Sequence, residues 1–253
     1  MRRTHFLFFI VGFLLWGIFT GEVLAQTQSV PGVNISLNPN ATPQQTVFSV
    51  QLLLLFTALA LAPTLLVMVT PFTRIIIVLS FLRQALGTQQ SPPNQVLVGI
   101  AFFMTLFITM PMFTEANTNG VQPFLKQQIT QEQALERSLV PFRRFMLKQV
   151  RQDDLELYLT LSKSARPKVP EDVATHVLIP AFITSELKTA FIIGFLVYIP
   201  FLIIDMVVAS TLMSMGMMML PPTVISLPFK LVLFVLIDGW NILSQALVGS
   251  FFT

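Results

Sequence analysis

The chain has 253 residues, of which 54% are hydrophobic and only 11% are charged. Because a soluble globular domain carries about 25% charged residues, this composition is typical of a membrane protein. The net charge of +3 is spread over so few side chains that it does not indicate a nucleic-acid-binding surface. The chain has no cysteine, which excludes disulfides, thiolate metal sites and cysteine nucleophiles.

The N-terminus has the pattern of an export signal. Arg2 and Arg3 precede a long apolar stretch, and small residues lead to a cleavage site between Ala25 and Gln26. We therefore predict a cleavable signal peptide over residues 1–25, with a retained signal anchor as the alternative.

The next segment, residues 26–47, has no charge and is rich in Gln, Asn, Pro and Ser, which predicts a flexible exported linker. Four apolar blocks follow, each interrupted by proline and each about as long as a bilayer-spanning helix. The blocks cover residues 50–70, 96–113, 187–213 and 223–252. We predict an N-terminal apolar helical hairpin over 48–113 and a C-terminal one over 187–253.

The segment between the first two blocks, residues 71–94, has Arg74 and Arg83 as its only charges. Its apolar spacing predicts an amphipathic helix over 75–86 that ends at Gly87. Short basic loops remain in the cytoplasm, so this segment is predicted to be a cytoplasmic loop.

Residues 114–186 differ from the rest because they hold nine basic and nine acidic side chains. A capping box from Thr130 to Gln133 predicts one helix start. A second helix is expected from Asp153 or Asp154, and a third from Pro170. We predict a small helical subdomain on the periplasmic side.

Residues 187–253 contain only four charges, at Lys188, Asp205, Lys230 and Asp238. Asp205 and Lys230 are equally far from the turn between the last two blocks, so they lie at the same level of antiparallel helices. This predicts a buried charge pair, within the hairpin or between neighbouring copies, with a proton or cation relay at Asp205 as the alternative. Lys188 is near a helix end, and Asp238 has no obvious partner.

The turn itself reads MSMGMMMLPP and has no charged or aromatic side chain. A turn of this kind is tolerated best where it is buried in protein or lines a cavity.

The sequence has no recognisable catalytic constellation and no cofactor or metal motif. His176 is the only histidine after the signal. Ser185 and Lys188 match S-x-x-K, but the companion elements of that hydrolase pattern are missing, so Ser185 is interpreted as an N-cap. We therefore predict that the chain is not an enzyme.

Two long segments carry a resemblance to a known family. The strings PFTRIIIVLSFLRQALGTQQSPPNQVLVGIAFFMTLF and ELKTAFIIGFLVYIPFLIIDMVVASTLMSMGMMMLPP resemble the signature regions of the FliP family of type III export-gate subunits. The likeness covers nearly everything after about residue 48. The signal and linker are similar to those of the flagellar branch, in contrast to the injectisome branch.

The resemblance implies an all-α fold of membrane-type helical hairpins with proline-broken helices, assembled as a pentameric, helical, cone-shaped export gate. It implies FliQ and FliR as further gate subunits, FliO as assembly factor, and FlhA and FlhB as neighbours in the inner membrane and flagellar basal body. Unfolded flagellar proteins would be the substrates. It places the pore constriction at Gly216, Met217, Met218 and Met219, and functional charges at Asp205 and Lys230. The alternatives are a membrane transporter or ion channel, and a scaffold with no pore.

Overall fold

The computed structural model of the chain describes residues 43–88, 90–163, 167, 169–217 and 219–252. The predicted signal peptide, its cleavage site at Ala25 and Gln26, and the predicted linker as far as residue 42 lie outside this part of the chain. The chain divides into two units, residues 1–57 and 58–253, which are described separately.

All regular structure within the described residues is helical, in agreement with the predicted fold class. The helices are α1 (Pro43–Met68), α2 (Phe72–Ala85), α3 (Asn94–Ala116), α4 (Gln122–Leu125), α5 (Gln131–Gln149), α6 (Gln152–Leu161), α7 (Thr175–Ser214), α8 (Pro222–Leu236) and α9 (Gly239–Gly249). A π-helical turn, Asn117–Val121, joins α3 to α4, and a 3₁₀ turn, Pro170–Asp172, precedes α7.

Helix α1 is apolar, and its first 15 residues, 43–57, belong to the first unit. The helices from α2 onward belong to the second unit.

Helices α2, α3, α7, α8 and α9 share one apolar core. In α2 the buried residues Ile75, Val78, Leu79 and Leu82 recur at helical spacing, as the predicted amphipathic pattern requires. The core is completed by buried residues from the other helices: Leu97, Ala101, Ile108, Ala190, Phe201, Phe234, Leu243 and Leu247. In this core α3 packs against α2, which is the amphipathic helix expected within residues 48–113.

The directions of these helices follow from their contacts. Phe81 of α2 packs edge-on against Phe191 of α7, with ring centroids 5.4 Å apart. A Cβ at Gly194 would lie 2.6 Å from the same Phe81 ring, so the close approach of the helices requires glycine there. Arg74, earlier in α2, contacts Glu186, earlier in α7, so the two helices run parallel. Helix α8 runs antiparallel to α7, because Phe234 packs near Phe201 and Lys230 near Asp205.

The predicted subdomain has its own apolar core, formed by α5, α6 and the beginning of α7. Its buried members are Met146, Val173, Val177, Leu178 and Phe182. The capping box of α5 is confirmed, with Gln133 N donating to Thr130 Oγ1 at 3.3 Å and Thr130 N donating to Gln133 Oε1 at 3.2 Å. The helix predicted from Pro170 is a 3₁₀ turn, and α7 begins at Thr175.

Helix α7 runs through the boundary predicted at residues 186 and 187. It has 40 residues, and at about 1.5 Å per residue it is about 60 Å long. A bilayer core is only about 30 Å thick, so α7 is long enough to pack in the subdomain at its beginning and in the apolar bundle further along. The fall in charge density marks the point where the helix leaves the subdomain.

Two stretches of the described residues are long and apolar enough to cross a membrane, Asn94–Leu125 and Thr175–Ser214. The pair α8 and α9 is a third if its 65° bend is counted within one span, and α1 contains the shorter apolar stretch Phe48–Leu61. The prolines expected to break the apolar helices lie inside them. The bend between α8 and α9 occurs instead at Asp238, which has a left-handed backbone with φ 52°.

Candidate functional site

The first candidate site joins the charge pair expected from the sequence. Asp205 is on α7 and Lys230 is on α8, and the structure brings Lys230 Nζ to 2.6 Å from Asp205 Oδ2. Lys230 is only 3% exposed, although the surrounding helices are apolar. An ammonium group in such surroundings requires an anion and further acceptors.

Two further contacts complete this site. Lys230 Nζ also donates to the carbonyl oxygen of Ala85, the last residue of α2, at 3.0 Å. Ser226 Oγ donates to the other oxygen of Asp205 at 2.5 Å. Lys230 thus links α2, α7 and α8 through two hydrogen bonds, and each oxygen of Asp205 accepts one. This geometry favours a structural joint over a proton or cation relay at Asp205.

The second candidate site is centred on Arg74, at the opposite end of α2. Its guanidinium forms a bidentate contact with the carboxylate of Glu186, in which Nε lies 2.9 Å from Oε2 and Nη2 binds Oε1. Nη2 also donates to Gln149 Oε1 at 3.1 Å, and Nη1 donates to Ser250 Oγ at 2.9 Å and Ser250 O at 3.2 Å. The guanidinium lies over the ring of Phe251, 3.8 Å from its centroid. Arg74 therefore connects α2, α5, α7 and the C-terminal segment.

Arg74 belongs to the segment 71–94, which the sequence predicts as a cytoplasmic loop with an amphipathic helix. In the structure the residue is on α2 and only 2% exposed. It is also level with the subdomain residue Gln149, whereas the sequence argument puts a basic loop and the subdomain on opposite faces of the membrane. Arg83 is on α2 as well, near its other end, where it is half-buried and donates to Pro92 O at 3.4 Å.

The sequence pattern does not predict Glu186 as the partner of Arg74. The predicted boundary after residue 186 places Glu186 in the charge-rich subdomain. An acidic residue among many other charged residues does not indicate a buried ion pair. The usable signal was the string SELK, in which a carboxylate comes directly before a long apolar stretch. Such a charge at the entry to an apolar helix requires a buried partner.

The third candidate site is the methionine turn between α7 and α8. Gly216 has φ +76° and ends α7 in a Schellman motif, in which Met217 N donates to Leu212 O at 3.0 Å and Gly216 N to Met213 O at 3.1 Å. Met219 is 97% exposed and Met217 is 38% exposed. Met218 lies outside the described residues. Helix α8 begins at Pro222, whose missing N–H suits the first helical position.

The structure contradicts the interpretation of Ser185 as an N-cap. Ser185 lies inside α7, fully buried, where its hydroxyl donates to Asp154 Oδ2 at 2.8 Å and accepts from Arg151 N at 3.1 Å. Lys188 Nζ is 4.0 Å from Asp154 Oδ1. The S-x-x-K pair therefore belongs to a polar joint between α6 and α7. Among the residues that the structure describes, no three His, Cys, Asp or Glu side chains come close enough to hold a metal.

A model of the FliP family matches residues 55–247, which is more than half of the chain. The chain belongs to the FliP family.

Curated relatives agree with this assignment. The flagellar biosynthetic protein FliP of Pectobacterium carotovorum subsp. carotovorum is 53% identical over 224 residues, covering 88% of this chain and 86% of the relative. The protein of the same name from Bacillus subtilis (strain 168) is 50% identical over 217 residues, covering 86% of this chain and 98% of the relative. That of Aquifex aeolicus (strain VF5) is 48% identical over 205 residues, with 80% and 86% covered.

The region matched to the FliP family contains nearly all of the three candidate sites. Both buried ion pairs and the methionine turn lie within residues 55–247. Of the Arg74 site, only the C-terminal contacts at Ser250 and Phe251 lie beyond it. The predicted signal and linker precede it.

Proposed function

We propose that this chain is a core structural subunit of the flagellar type III protein export gate. In this role it forms part of the channel through which unfolded flagellar proteins cross the inner membrane. Membership in the FliP family and the names of the relatives support the flagellar role. The observation that carries the channel role is the uncharged methionine turn at the end of the α7–α8 hairpin, which the Asp205–Lys230 pair holds together.

The proposed contribution of the methionine turn is a flexible seal. A pore for unfolded chains has to close when empty and open around any sequence. Methionine is unbranched and adapts to irregular gaps without adding charge. Copies of Gly216, Met217, Met218 and Met219 from several subunits would form a constriction that excludes water. The exposure of Met219 and Met217 within one chain supports this role, because side chains that seal a pore must be free to meet other copies.

The proposed assembly is a homo-oligomer, a pentamer by resemblance to the family, completed by FliQ and FliR. FliO would assist assembly, and FlhA and FlhB would be neighbours in the basal body. The outer surface of the bundle supports such an assembly, since large apolar side chains such as Phe103, Phe107 and Phe195 are more than 60% exposed. Surfaces of this kind are covered by lipid or by other chains.

The test uses a bacterium whose own copy of the gene has been deleted. We expect the deletion strain to lose swimming and the secretion of flagellar proteins, and a plasmid carrying this chain to restore both. Soft-agar motility and immunoblots of the culture medium measure the two. Continued secretion by the deletion strain would contradict the export role, and ion transport by the purified chain alone in liposomes would favour a transporter.

A further inference from the structure

The charges of the apolar bundle pair almost completely within one chain. Arg74 pairs with Glu186, and Asp205 pairs with Lys230. Glu115 of α3 lies 3.1 Å from Arg144, and Lys188 lies 4.0 Å from Asp154. The bundle here comprises α2, α3, α7, α8, α9 and the residues between α8 and α9. Two charged side chains of the bundle have no oppositely charged group among the described residues within 4.0 Å. These are one cation, Arg83, and one anion, Asp238.

Asp238 is an exposed carboxylate in apolar surroundings. It follows α8 at the 65° bend and is preceded by Val235 and Leu236, which are 75% and 78% exposed. Among the described residues, the one hydrogen bond to its carboxylate comes from Asn241 Nδ2, which donates to Asp238 Oδ2 at 3.0 Å. An amide does not neutralise a carboxylate, and carboxylates within membrane-type helices are usually found beside a cation or in a water-filled cavity.

Arg83 is in the complementary situation. It is half-buried on α2, and the one hydrogen bond from its guanidinium to described residues is the 3.4 Å contact of Nη1 with Pro92 O. A guanidinium carries five N–H donors, so most of them remain for another acceptor. A carboxylate is the acceptor whose shape and charge fit the guanidinium best.

The positions of the two residues along the bundle suit a contact between copies. Lys230 binds the carbonyl oxygen of Ala85, so these residues are level. Helix α8 is antiparallel to α2, so Asp238, eight residues after Lys230, and Arg83, two residues before Ala85, are displaced in the same direction. At about 1.5 Å per residue the displacements are about 12 and 3 Å, which leaves an axial offset of about 9 Å, less than two helical turns.

We propose that Asp238 of one copy binds Arg83 of a neighbouring copy of the same chain. The contact joins the bend after α8 to the end of α2, and it neutralises the two remaining charges of the bundle together. The inference rests on the homo-oligomer of the proposed function and adds the residues that hold neighbouring copies together.

The first test removes each charge with little change of shape. Asparagine tolerates the left-handed backbone at position 238 and can keep the contact with Asn241, so Asp238→Asn removes only the charge. Arg83→Gln is the matched change on the other side. We expect each variant, expressed with the whole gate, to lower the yield of oligomer several-fold in native mass spectrometry. The double variant should lower it no further, because both changes remove one contact.

The second test measures proximity and relies on the absence of native cysteine. Two differently tagged copies are co-expressed with the gate, one with Arg83→Cys and the other with Asp238→Cys, and treated with a short bismaleimide. We expect a covalent dimer carrying both tags. The control pair, Lys163→Cys with Asp238→Cys, should give none, because Lys163 is exposed on the subdomain.

The outcomes separate the inference from the proposed function. Oligomers that contain both cysteine copies but give no cross-linked dimer would overturn the Asp238–Arg83 contact without contradicting the proposed export-gate role. An assembly defect in Asp238→Asn together with normal assembly of Arg83→Gln would also overturn it. That result would indicate that Asp238 binds a cation of another protein or a lipid amine. Absence of any wild-type oligomer would refute the homo-oligomer and this contact with it.

Discussion

At the scale of single residues, two buried ion pairs fix the ends of α2. Arg74 joins one end to α5, α7 and the C-terminal segment, and Lys230 joins the other end to α7 and α8. Burying charges is costly, and the attraction within a buried pair offsets that cost only when the geometry is good and further hydrogen bonds satisfy both groups. We therefore infer that the two pairs specify how α2 aligns with α7 more than they add to the net free energy of folding.

Replacing Asp205 with alanine should destabilise the bundle strongly. Lys230 would remain buried without its anion, and breaking a buried pair on one side costs about 3–5 kcal/mol. Thermal unfolding of the detergent-extracted protein, followed by circular dichroism, measures the loss. The double variant Asp205→Ala with Lys230→Met should recover part of it, since no buried charge then remains. Equal stability of the single variant and the wild type would show that the pair does not hold the helices.

Replacing Arg74 with lysine should release the C-terminal segment. A lysine ammonium keeps one charge contact with Glu186 but lacks the planar fork that also reaches Gln149 and Ser250. Hydrogen bonds of charged groups are worth about 1.5–3 kcal/mol each, so we expect faster digestion from the C-terminus by carboxypeptidase. Arg137→Lys, at an exposed position, is the control. Unchanged digestion of the Arg74 variant would contradict the anchoring role.

The two pairs differ in how far sequence alone predicts them. Asp205 and Lys230 flank one turn, so counting residues from that turn brings them to the same level. Arg74 and Glu186 are 112 residues apart and belong to helices that share no turn. Only the parallel packing of α2 against α7 brings them together, and no local pattern encodes the pairing of distant helices.

At the scale of elements, the helices were easier to predict than their ends. Apolar spacing located α2, and a capping box located the start of α5. The prolines do not mark helix ends, because Pro200 and Pro228 each lie within a helix. A proline in a helix removes one hydrogen bond, and in a membrane-type bundle neighbouring groups compensate for that loss. The bend at Asp238 came from a left-handed residue that proline counting does not detect.

Replacing Gly216 with alanine should strain the end of α7. Gly216 has φ +76°, and an L-residue in the left-handed region costs about 1–2 kcal/mol. Gly99 offers a matched control inside α3, since a Cβ there would meet no atom within 4 Å. Gly99→Ala should be neutral or stabilising by about 0.5–1 kcal/mol. We expect the unfolding temperature of the Gly216 variant to fall and that of the Gly99 variant to stay the same or rise. Equal shifts in the two variants would contradict the role of Gly216.

At the scale of the whole molecule, the second unit has two distinct ends. One end of α2 lies beside Thr70, Arg74 and the subdomain. The other end lies beside Gly87 and the Lys230 site. The sequence does not predict these two ends. The positive-inside rule counts Arg74 and Arg83 together as charges of one loop, whereas α2 places them at different levels. With the subdomain in the periplasm, as we propose, only the Arg83 end would face the cytoplasm.

Cysteine labelling tests this orientation. Lys163→Cys, at the end of α6, should react with a membrane-impermeant thiol reagent in cells whose outer membrane has been permeabilised. Thr88→Cys, next to Gly87 at the other end of α2, should react only after the inner membrane is opened. The chain has no native cysteine, so the signal is specific. Labelling of Thr88→Cys alone in intact inner membranes would invert the proposed orientation.

The seal proposed for the methionine turn leads to the last prediction. Changing Met217, Met218 and Met219 to alanine removes flexible apolar volume but leaves Gly216 and the Asp205–Lys230 ion pair that holds the α7–α8 hairpin. We therefore expect gates that assemble normally yet leak small ions, because alanine side chains are too short to fill an irregular constriction. Membrane conductance and small-solute uptake measure the leak, and native mass spectrometry checks assembly. Met206→Ala is the control, since Met206 is 62% exposed on α7 away from the turn. An assembled triple-alanine gate as tight as the wild type would show that these methionines do not form the seal.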